Sequence, residues 1–372
     1  MATEIKMKQE YNPYKLVHHQ DKIKQLRQKK QIVPTRLQLV IADLCNHNCS
    51  FCSYRMDGFR VNQNFGEMNK KTGKINNNPN RMIPYEKVIE ILDDCESMGI
   101  PCVEYTGGGE PTVHKKHKEI FEYTYRKGLQ LALVTNGYLI KDGVDTLLSN
   151  AEWVRFSMDA GTSETYSLIR QVPQNAFQRF RKNVKKVVDA KTANNGKVIL
   201  GINYVITKEN YKEIYRAVKI AKELGVDNIK VTTLYTPLDI SSYLDIYKKS
   251  TELVNKAKED FKDEDFMVFD LVQPRLNNLK EKPDYVQCGY MEFTSFVGGD
   301  LNVYTCCSNA YNDMGTVGSI KHQRFNEFWK SLEKRNFFSK FDARNCETCP
   351  FNKKNELINY MLENNPRHVN FI

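Results

Sequence analysis

At 372 residues, with 41% hydrophobic and 11% aromatic content, the chain suits one large folded domain or two and argues against a disordered polymer. Its net charge of +10 is partly local: residues 1–30 carry eight Lys or Arg against three Asp or Glu, an arm able to meet phosphates. No helix-turn-helix, RNP-like or zinc-finger pattern accompanies it, so a solvated basic face is preferred to nucleic-acid binding. With no signal-peptide core and no apolar run approaching about 18 residues, a membrane span is not expected. The compartment expected is the cytoplasm, where ten cysteines read as reduced thiols and candidate metal ligands.

The first strand is expected at 35–43 (TRLQLVIAD), followed at once by CNHNCSFC at 45–52. An Asn-rich stretch at 61–80 comes next and reads as a lid in preference to flexible filler. A helix at 85–99 then leads to a strand at 102–107, a helix at 117–128 to a strand at 129–137, and a further strand follows at 153–161. Helices at 177–191 and 211–225 precede strands at 198–207 and 229–235, and several helices stop at a Gly suited to a left-handed terminus. Six such alternations imply an α/β fold with a parallel sheet, whose chemistry belongs in the loops at the carboxyl ends of the strands. Cys45, the Gly107 to Glu110 turn, Asn136 and Asp159 all fall there. After Leu234 the rhythm lapses, and from about Asp284 a cysteine-bearing, Gly-punctuated region runs onward. The division expected is a basic N-terminal arm (1–34), an α/β region (35–240), a helical bridge (241–283) and a small cysteine-bearing α+β domain (284–372).

Cys45, Cys49 and Cys52 form C-x3-C-x2-C directly after the first strand. Three thiolates on one loop can hold three irons of a [4Fe–4S] cluster and leave the fourth open for a substrate or cofactor. Zinc, with His47 as fourth ligand, is the weaker alternative. With Phe51 at the aromatic position, CNHNCSFC resembles the C-x3-C-x-aromatic-C signature of the radical S-adenosylmethionine (SAM) enzymes. TGGGEP at 106–111 is similar to that family's GGE element, which implies that Gly108, Gly109 and Glu110 meet the SAM amino group. TNG at 135–137 and SMDAG at 157–161 suggest Asn136, Ser157 and Asp159 for the SAM ribose or carboxylate, with Arg170 behind them. The alternative role for each of these four is a turn or helix-cap residue. The resemblance covers roughly residues 35–235 and implies a partial (β/α)6 TIM-like barrel.

Downstream, Cys288, Cys306, Cys346 and Cys349 supply four thiolates, enough to ligate a second cluster completely. The surrounding CGYMEFTSFVGGDLNVYTCC and CETCPF resemble the SPASM and twitch extensions of radical SAM enzymes. The three further cysteines of a full SPASM pattern are missing after Cys349, which implies a twitch-like domain with one auxiliary [4Fe–4S] cluster. The spacing and the VYTC match select Cys306 over Cys307. Cys307 is then a structural thiol or one near the active site. Cys95 and Cys102 read as core residues. Leu301 and Asn302 stand where the resemblance calls for a hairpin Gly, with Gly298 and Gly299 just before, so a shifted hairpin is expected.

The resemblance implies a SAM cleavage that yields a 5′-deoxyadenosyl radical, which takes hydrogen from a substrate. The reductant implied is a flavodoxin or ferredoxin, and the outcome expected is an oxidative modification assisted by the auxiliary cluster. Redox-neutral epimerisation or isomerisation of a sugar, nucleotide or peptide is the nearest competitor. A non-catalytic Fe–S or zinc protein that binds nucleic acid is the third reading. With only about 34 residues before the first strand, a leader-peptide recognition domain is not expected.

Overall fold

A computed structural model describes residues 12–55, 63–235 and 240–369. Its strands, in chain order, are β1 (Arg36–Leu39), the short hairpin pair β2 (Glu67–Met68) and β3 (Ile75–Asn76), β4 (Cys102–Tyr105), β5 (Gln130–Thr135), β6 (Trp153–Ser157), β7 (Ile199–Ile206), β8 (Asn228–Thr233), β9 (Met267–Asp270), β10 (Thr294–Val297), β11 (Asn302–Tyr304) and β12 (Thr316–Ser319). Ten of them make one sheet in the order β12-β11-β10-β1-β4-β5-β6-β7-β8-β9. From β10 to β9 every neighbouring pair is parallel, while β10, β11 and β12 are antiparallel. Among the described residues no ladder joins β9 back to β10, so the parallel sheet stays open at one side.

Side chains alternate along each strand, which sorts them onto two faces. Leu37, Val103, Leu131, Val154, Leu200 and Ile229 share one face, and none is more than 1% exposed. They pack in one core with Ile91, Phe121, Val184 and Val218 from the covering helices. Full burial of such a side chain stabilises by about 1.5–3 kcal/mol, and this layer holds the barrel wall together. The other face carries Arg36, Gln38, Glu104, Arg155, Ser157, Asn203 and Lys230. Gln38 stands opposite Glu104 and Asn203 opposite Lys230. Arg36 pairs with Glu104 at 2.8 Å, and Gln38 donates to the same carboxylate at 3.1 Å. The sheet therefore has a dry outer face and a polar inner one.

Two helices end as their sequence dictates: Tyr85–Met98 at Gly99 (φ +76°) and Ile214–Leu224 at Gly225 (φ +80°), where the left-handed conformation costs least without a Cβ. Two expectations need correction. The stretch 241–283 is not wholly helical: between the helices Leu244–Phe261 and Val272–Lys280 it supplies β9, which pairs with β8, after a turn in which Asp263 caps the backbone of Asp265 and Phe266. The described part of the basic arm is not a free segment. Leu16, Ile23 and Ile32 are buried against Phe293 and Ile358, and Trp329 donates its indole N–H to the Ile32 carbonyl at 2.9 Å. The Asn-rich stretch, where described, is the β2–β3 hairpin, anchored by a fully buried Phe65. The shifted hairpin is present between β10 and β11, and Leu301 takes its left-handed position at φ +66°. No helix among the described residues is long and apolar enough to cross a membrane.

Candidate functional site

The thiols of Cys45, Cys49 and Cys52 line a cavity of about 260 Å³ at the carboxyl ends of the strands. Every residue that the sequence pattern assigns to SAM also borders it: Phe51, Gly108, Gly109, Glu110, Asn136, Ser157, Asp159 and Arg170. Asn203, Val205, Leu234 and Tyr235 complete the wall. No local motif signals these four, which become visible only once the strands are side by side.

Close packing sets the position of the cysteine loop. A Cβ on Gly109 would stand 2.3 Å from the Leu44 carbonyl oxygen, and one on Gly108 2.7 Å from an Asp43 carboxylate oxygen, so the glycine turn lies directly on the chain entering the loop. Glu110 N–H donates to the Leu44 carbonyl at 3.1 Å. Asn78, from the Asn-rich stretch, accepts from Cys45 N–H at 3.0 Å and donates to the Cys45 carbonyl at 3.1 Å. Arg55 ties the same region together, reaching Cys52 Sγ at 3.4 Å, the Asp43 carbonyl at 3.1 Å and Asn78 Oδ1 at 2.9 Å. Sequence reasoning missed both Asn78 and Arg55; Arg55 lies three residues beyond Cys52, but Asn78 has no such signal.

Four of the expected SAM residues have side chains already engaged within the protein: Glu110, Asp159, Arg170 and Asn136. Glu110 accepts from Thr112 N–H at 3.0 Å, the Thr112 and Thr135 hydroxyls at 2.7 Å each, and Asn136 N–H at 2.7 Å. Its carboxylate braces the glycine turn against the end of β5 and borders the cavity. Asp159, non-glycine at φ +56° and 1% exposed, accepts from Val205 N–H at 2.7 Å and pairs with Arg170. Arg170 in turn donates to the Ser157 carbonyl at 2.7 Å and points Nη1 at Cys49 Sγ, 3.8 Å away. Asp159 and Arg170 hold each other at the cavity wall. Asn136 reaches Asn46 Oδ1 at 2.7 Å and lies 3.9 Å from Cys45 Sγ.

In the ligand-free chain burial keeps the Cys45 and Cys49 thiols protonated. Burial pushes the Cys45 thiol up to about 11 and the Cys49 thiol up to about 12, although Arg55 and Arg170 act the other way. A metal binds these thiols by displacing their protons, and the guanidinium and N–H donors around the sulfurs suit them as thiolate ligands. His47 is held neutral, down to about 3, by burial and by Arg170. Its Nε2 is buried without a hydrogen-bond partner in this ligand-free chain. Among the described residues no three His, Cys, Asp or Glu side chains converge closely enough for a single metal ion. Thiolates on separate corners of a cluster stand further apart than the four ligands around one tetrahedral zinc, so the donor set fits the cluster better than zinc.

A second, small cavity brings together Cys288, Cys306, Cys346 and Cys349. Burial pushes Cys288 up to about 12 and Cys306 well above the ordinary thiol range, and raises Cys346 and Cys349. Donors again surround the sulfurs: Asn309 to Cys346 at 3.4 Å, Phe351 N–H to Cys349 at 3.4 Å and the Tyr285 hydroxyl to Cys349 at 3.6 Å. Cys307 is not part of this set. After burial, its electrostatic neighbours are Glu104, Arg36 and Arg275, on the inner side of the sheet. Cys95 is fully buried in the core, as expected.

Residues 39–207 match the family model of the radical SAM superfamily, and residues 288–350 match the SPASM iron–sulfur cluster-binding domain. Among curated proteins, "Probable GTP 3',8-cyclase" of Saccharolobus islandicus is 26% identical over 201 residues, 54% of this chain and 56% of that protein. The tungsten-containing aldehyde ferredoxin oxidoreductase cofactor-modifying protein of Pyrococcus furiosus is 29% identical over 185 residues, 48% of this chain and 51% of that protein. The chain thus spans about half the length of the curated relatives it matches. Of solved structures, Streptococcus suis SuiB bound to precursor peptide SuiA has a TM-score of 0.60 at 17% identity, covering 96% of this chain and 80% of that one. Native anSMEcpe with bound AdoMet and Kp18Cys peptide has a TM-score of 0.58 at 17% identity, covering 87% and 88%.

Proposed function

Because this chain belongs to the radical SAM superfamily and carries a SPASM domain behind its barrel, we propose that it modifies its substrate oxidatively, with Cys288, Cys306, Cys346 and Cys349 the residues that would hold one auxiliary [4Fe–4S] cluster, a group that would supply one-electron redox chemistry there. Cys45, Cys49 and Cys52 would hold the SAM-binding cluster, and together these groups supply reductive SAM cleavage and hydrogen-atom abstraction. The single observation that carries this reading is the cavity that gathers three thiols, the glycine turn, Asn136 and Ser157 at the strand ends.

The protein's own contribution is positioning and exclusion of water. The Gly107–Gly109 backbone offers close approach for the amino acid end of SAM, with Glu110 fixing that turn and Arg170 and Asp159 fixing the opposite wall. Tyr235 closes the cavity toward the C-terminal region through its hydroxyl contact with Thr348 at 2.8 Å, next to Cys349. The electron for each turnover comes from a flavodoxin- or ferredoxin-type donor. The named relatives point in different directions for substrate, a nucleotide in one case and peptides in others. One observation favours a second outcome: Cys307 is outside the four-cysteine set and has Glu104 and Arg36 of the inner sheet face among its electrostatic neighbours, and a thiol there able to return a hydrogen atom would make the reaction an isomerisation.

Anaerobically reconstituted protein with dithionite and SAM is expected to release 5′-deoxyadenosine, and Cys49→Ala to release none. Equal traces from both proteins would refute the enzyme reading. Retention of product formation in Cys307→Ser would remove the isomerase alternative.

A further inference from the structure

The cysteine loop has an outer side as well as the side that borders the cavity. Asn46, Asn48 and Ser50 are exposed between its cysteines, so the loop itself forms part of the molecular surface. Asn48 donates to the Gln171 side chain at 2.7 Å, and the Asn48 and Ser50 N–H groups reach the Arg170 and Ile169 carbonyls at 3.1 and 2.9 Å, which seats the loop on the end of the helix Ser163–Arg170. His47, 3% exposed, packs edge-on against Tyr138 with ring centres 5.5 Å apart. The exposed Arg179 guanidinium lies 4.2 Å from the centre of the Tyr138 ring and donates to the Tyr138 carbonyl at 3.0 Å. Contacts therefore run unbroken from a surface cation through Tyr138 and His47 to Cys45, whose Sγ accepts from the His47 N–H at 3.4 Å.

The helix that carries Arg179, Asn175–Ala193, has five Lys or Arg from 179 to 186 and no Asp or Glu before Asp189. Lys185 and Lys186 are paired with Asp189 and Asp142. Arg179 and Lys182 are both exposed, lie one turn apart on one face, and have no carboxylate within ion-pair distance among the described residues. A positive face of this kind draws and orients an acidic partner. Under the radical SAM reading the inner side of the loop is given over to SAM and substrate, while each cleavage consumes one electron brought from outside. Electron transfer weakens steeply with distance, so the donor has to dock where the loop meets the exterior, and the basic face adjoins that place.

We propose that the face made by Asn48, Gln171, Tyr138, Arg179 and Lys182 docks an acidic one-electron carrier protein of the flavodoxin or ferredoxin type on the outer side of the cysteine loop. This rests on the radical SAM reading above and assigns a surface to its reductant. One electron leaves the carrier and one arrives at the group held by Cys45, Cys49 and Cys52; no bond is made or broken in the transfer.

The test is calorimetric titration of the reconstituted holoenzyme with an acidic flavodoxin, in wild type, Arg179→Gln/Lys182→Gln and Lys248→Gln/Lys249→Gln, the last removing the same charge from exposed positions of the helix Leu244–Phe261. Expected is a Kd below about 100 µM at about 0.05 M salt that weakens at about 0.3 M. It should rise at least about fivefold in the first double variant and less than about twofold in the second. Because Arg179 also holds Tyr138, Lys182→Glu is measured alone, and a rise of about threefold is expected. The same Kd in every protein, or equal losses in the two double variants, overturns the proposal. So does a single-stranded RNA that binds more tightly than flavodoxin with the same dependence on Arg179 and Lys182, which would give the face to nucleic acid. Dithionite-driven release of 5′-deoxyadenosine is followed in the same samples and should be unchanged by these substitutions. Release without variant-sensitive flavodoxin binding removes the docking face and leaves the radical chemistry. Variant-sensitive binding without release does the reverse.

Discussion

Replacing Glu110 by Gln separates a brace from a ligand. The carboxylate is 2% exposed and accepts four hydrogen bonds, three at one oxygen and Asn136 N–H at the other. Gln can keep its carbonyl oxygen toward Thr112 and Thr135, but its amide nitrogen then opposes the Asn136 N–H, donor against donor. Bonds to a charged acceptor are worth about 1.5–3 kcal/mol, and a buried donor left unmatched costs about 1–3 kcal/mol. The expected loss is therefore about 2–4 kcal/mol, set against a total stability of about 5–15 kcal/mol. Urea unfolding of the cluster-free protein reads this term directly, because no SAM or iron is present. SAM affinity of the reconstituted variant, measured separately, should fall as well, since the glycine turn loses its brace. An apo stability within about 0.5 kcal/mol of wild type, with only SAM affinity reduced, would refute the brace and restore the carboxylate as the partner of the SAM ammonium.

Gly109→Ala places a methyl group 2.3 Å from the Leu44 carbonyl oxygen, a contact only backbone movement can relieve, so the iron held by Cys45, Cys49 and Cys52 is expected to be lost together with SAM binding, as chemical iron analysis would show. Cys306→Ala should lower reconstituted iron from about eight to about four per chain, whereas Cys307→Ala should keep about eight; the opposite pattern would exchange the two thiols' roles. Lys354→Met is expected to stabilise the protein. The folded-state pKa of Lys354 is depressed to about 8 from 10.5, so the unfolded chain binds the extra proton, and the lysine's contribution is complete above about pH 10.5 and lost as pH falls through 8. The variant should gain up to about 2 kcal/mol at pH 7 and lose the wild type's rise in stability between pH 8 and 10; a lower stability at pH 7 would show that the ammonium is favourably paired.

The six expected strands and four expected helices are all present to within a few residues, because each carries its own periodicity and most end at a glycine or a polar turn. The cysteine and glycine motifs were legible for a related reason: their members lie within a few residues of one another. The rest of the site depends on contacts distant in sequence. Asn78 reaches Cys45 across 33 positions, and Tyr311 donates to Asp43 across 268. The polar lumen is different, since its residues are visible as every second position of RLQL, CVEY and WVRFS. Alternation of that kind ordinarily marks a strand with one face in water. It marks an enclosed polar lumen only when helices cover the apolar face and the strands curl around the polar one, which no single strand reveals.

The same long-range contacts bear on how the two cysteine sites depend on each other. Asp43, two residues before Cys45, is fully buried and held by Arg81 at 2.8 Å and by the Tyr311 hydroxyl. Gly299, in the β10–β11 turn, packs so closely that a Cβ would stand 2.6 Å from the Asp43 carboxyl carbon, and Gly108 presses on the same side chain. Phe65 fills the space between Tyr54 and Tyr311, with Arg81 over its ring. Contacts from the glycine turn, the Asn-rich hairpin and the C-terminal region therefore meet on one carboxylate at the entrance to the first cysteine loop. A buried carboxylate that loses its donors costs several kcal/mol, so disturbance of the C-terminal region is transmitted to that loop through defined bonds. β10 adds a backbone path, because its ladder with β1 ends where the chain enters the loop. The C-terminal half is thus part of the structure that shapes the first site, and its removal would leave β1 with an open edge and Asp43 without two of its neighbours.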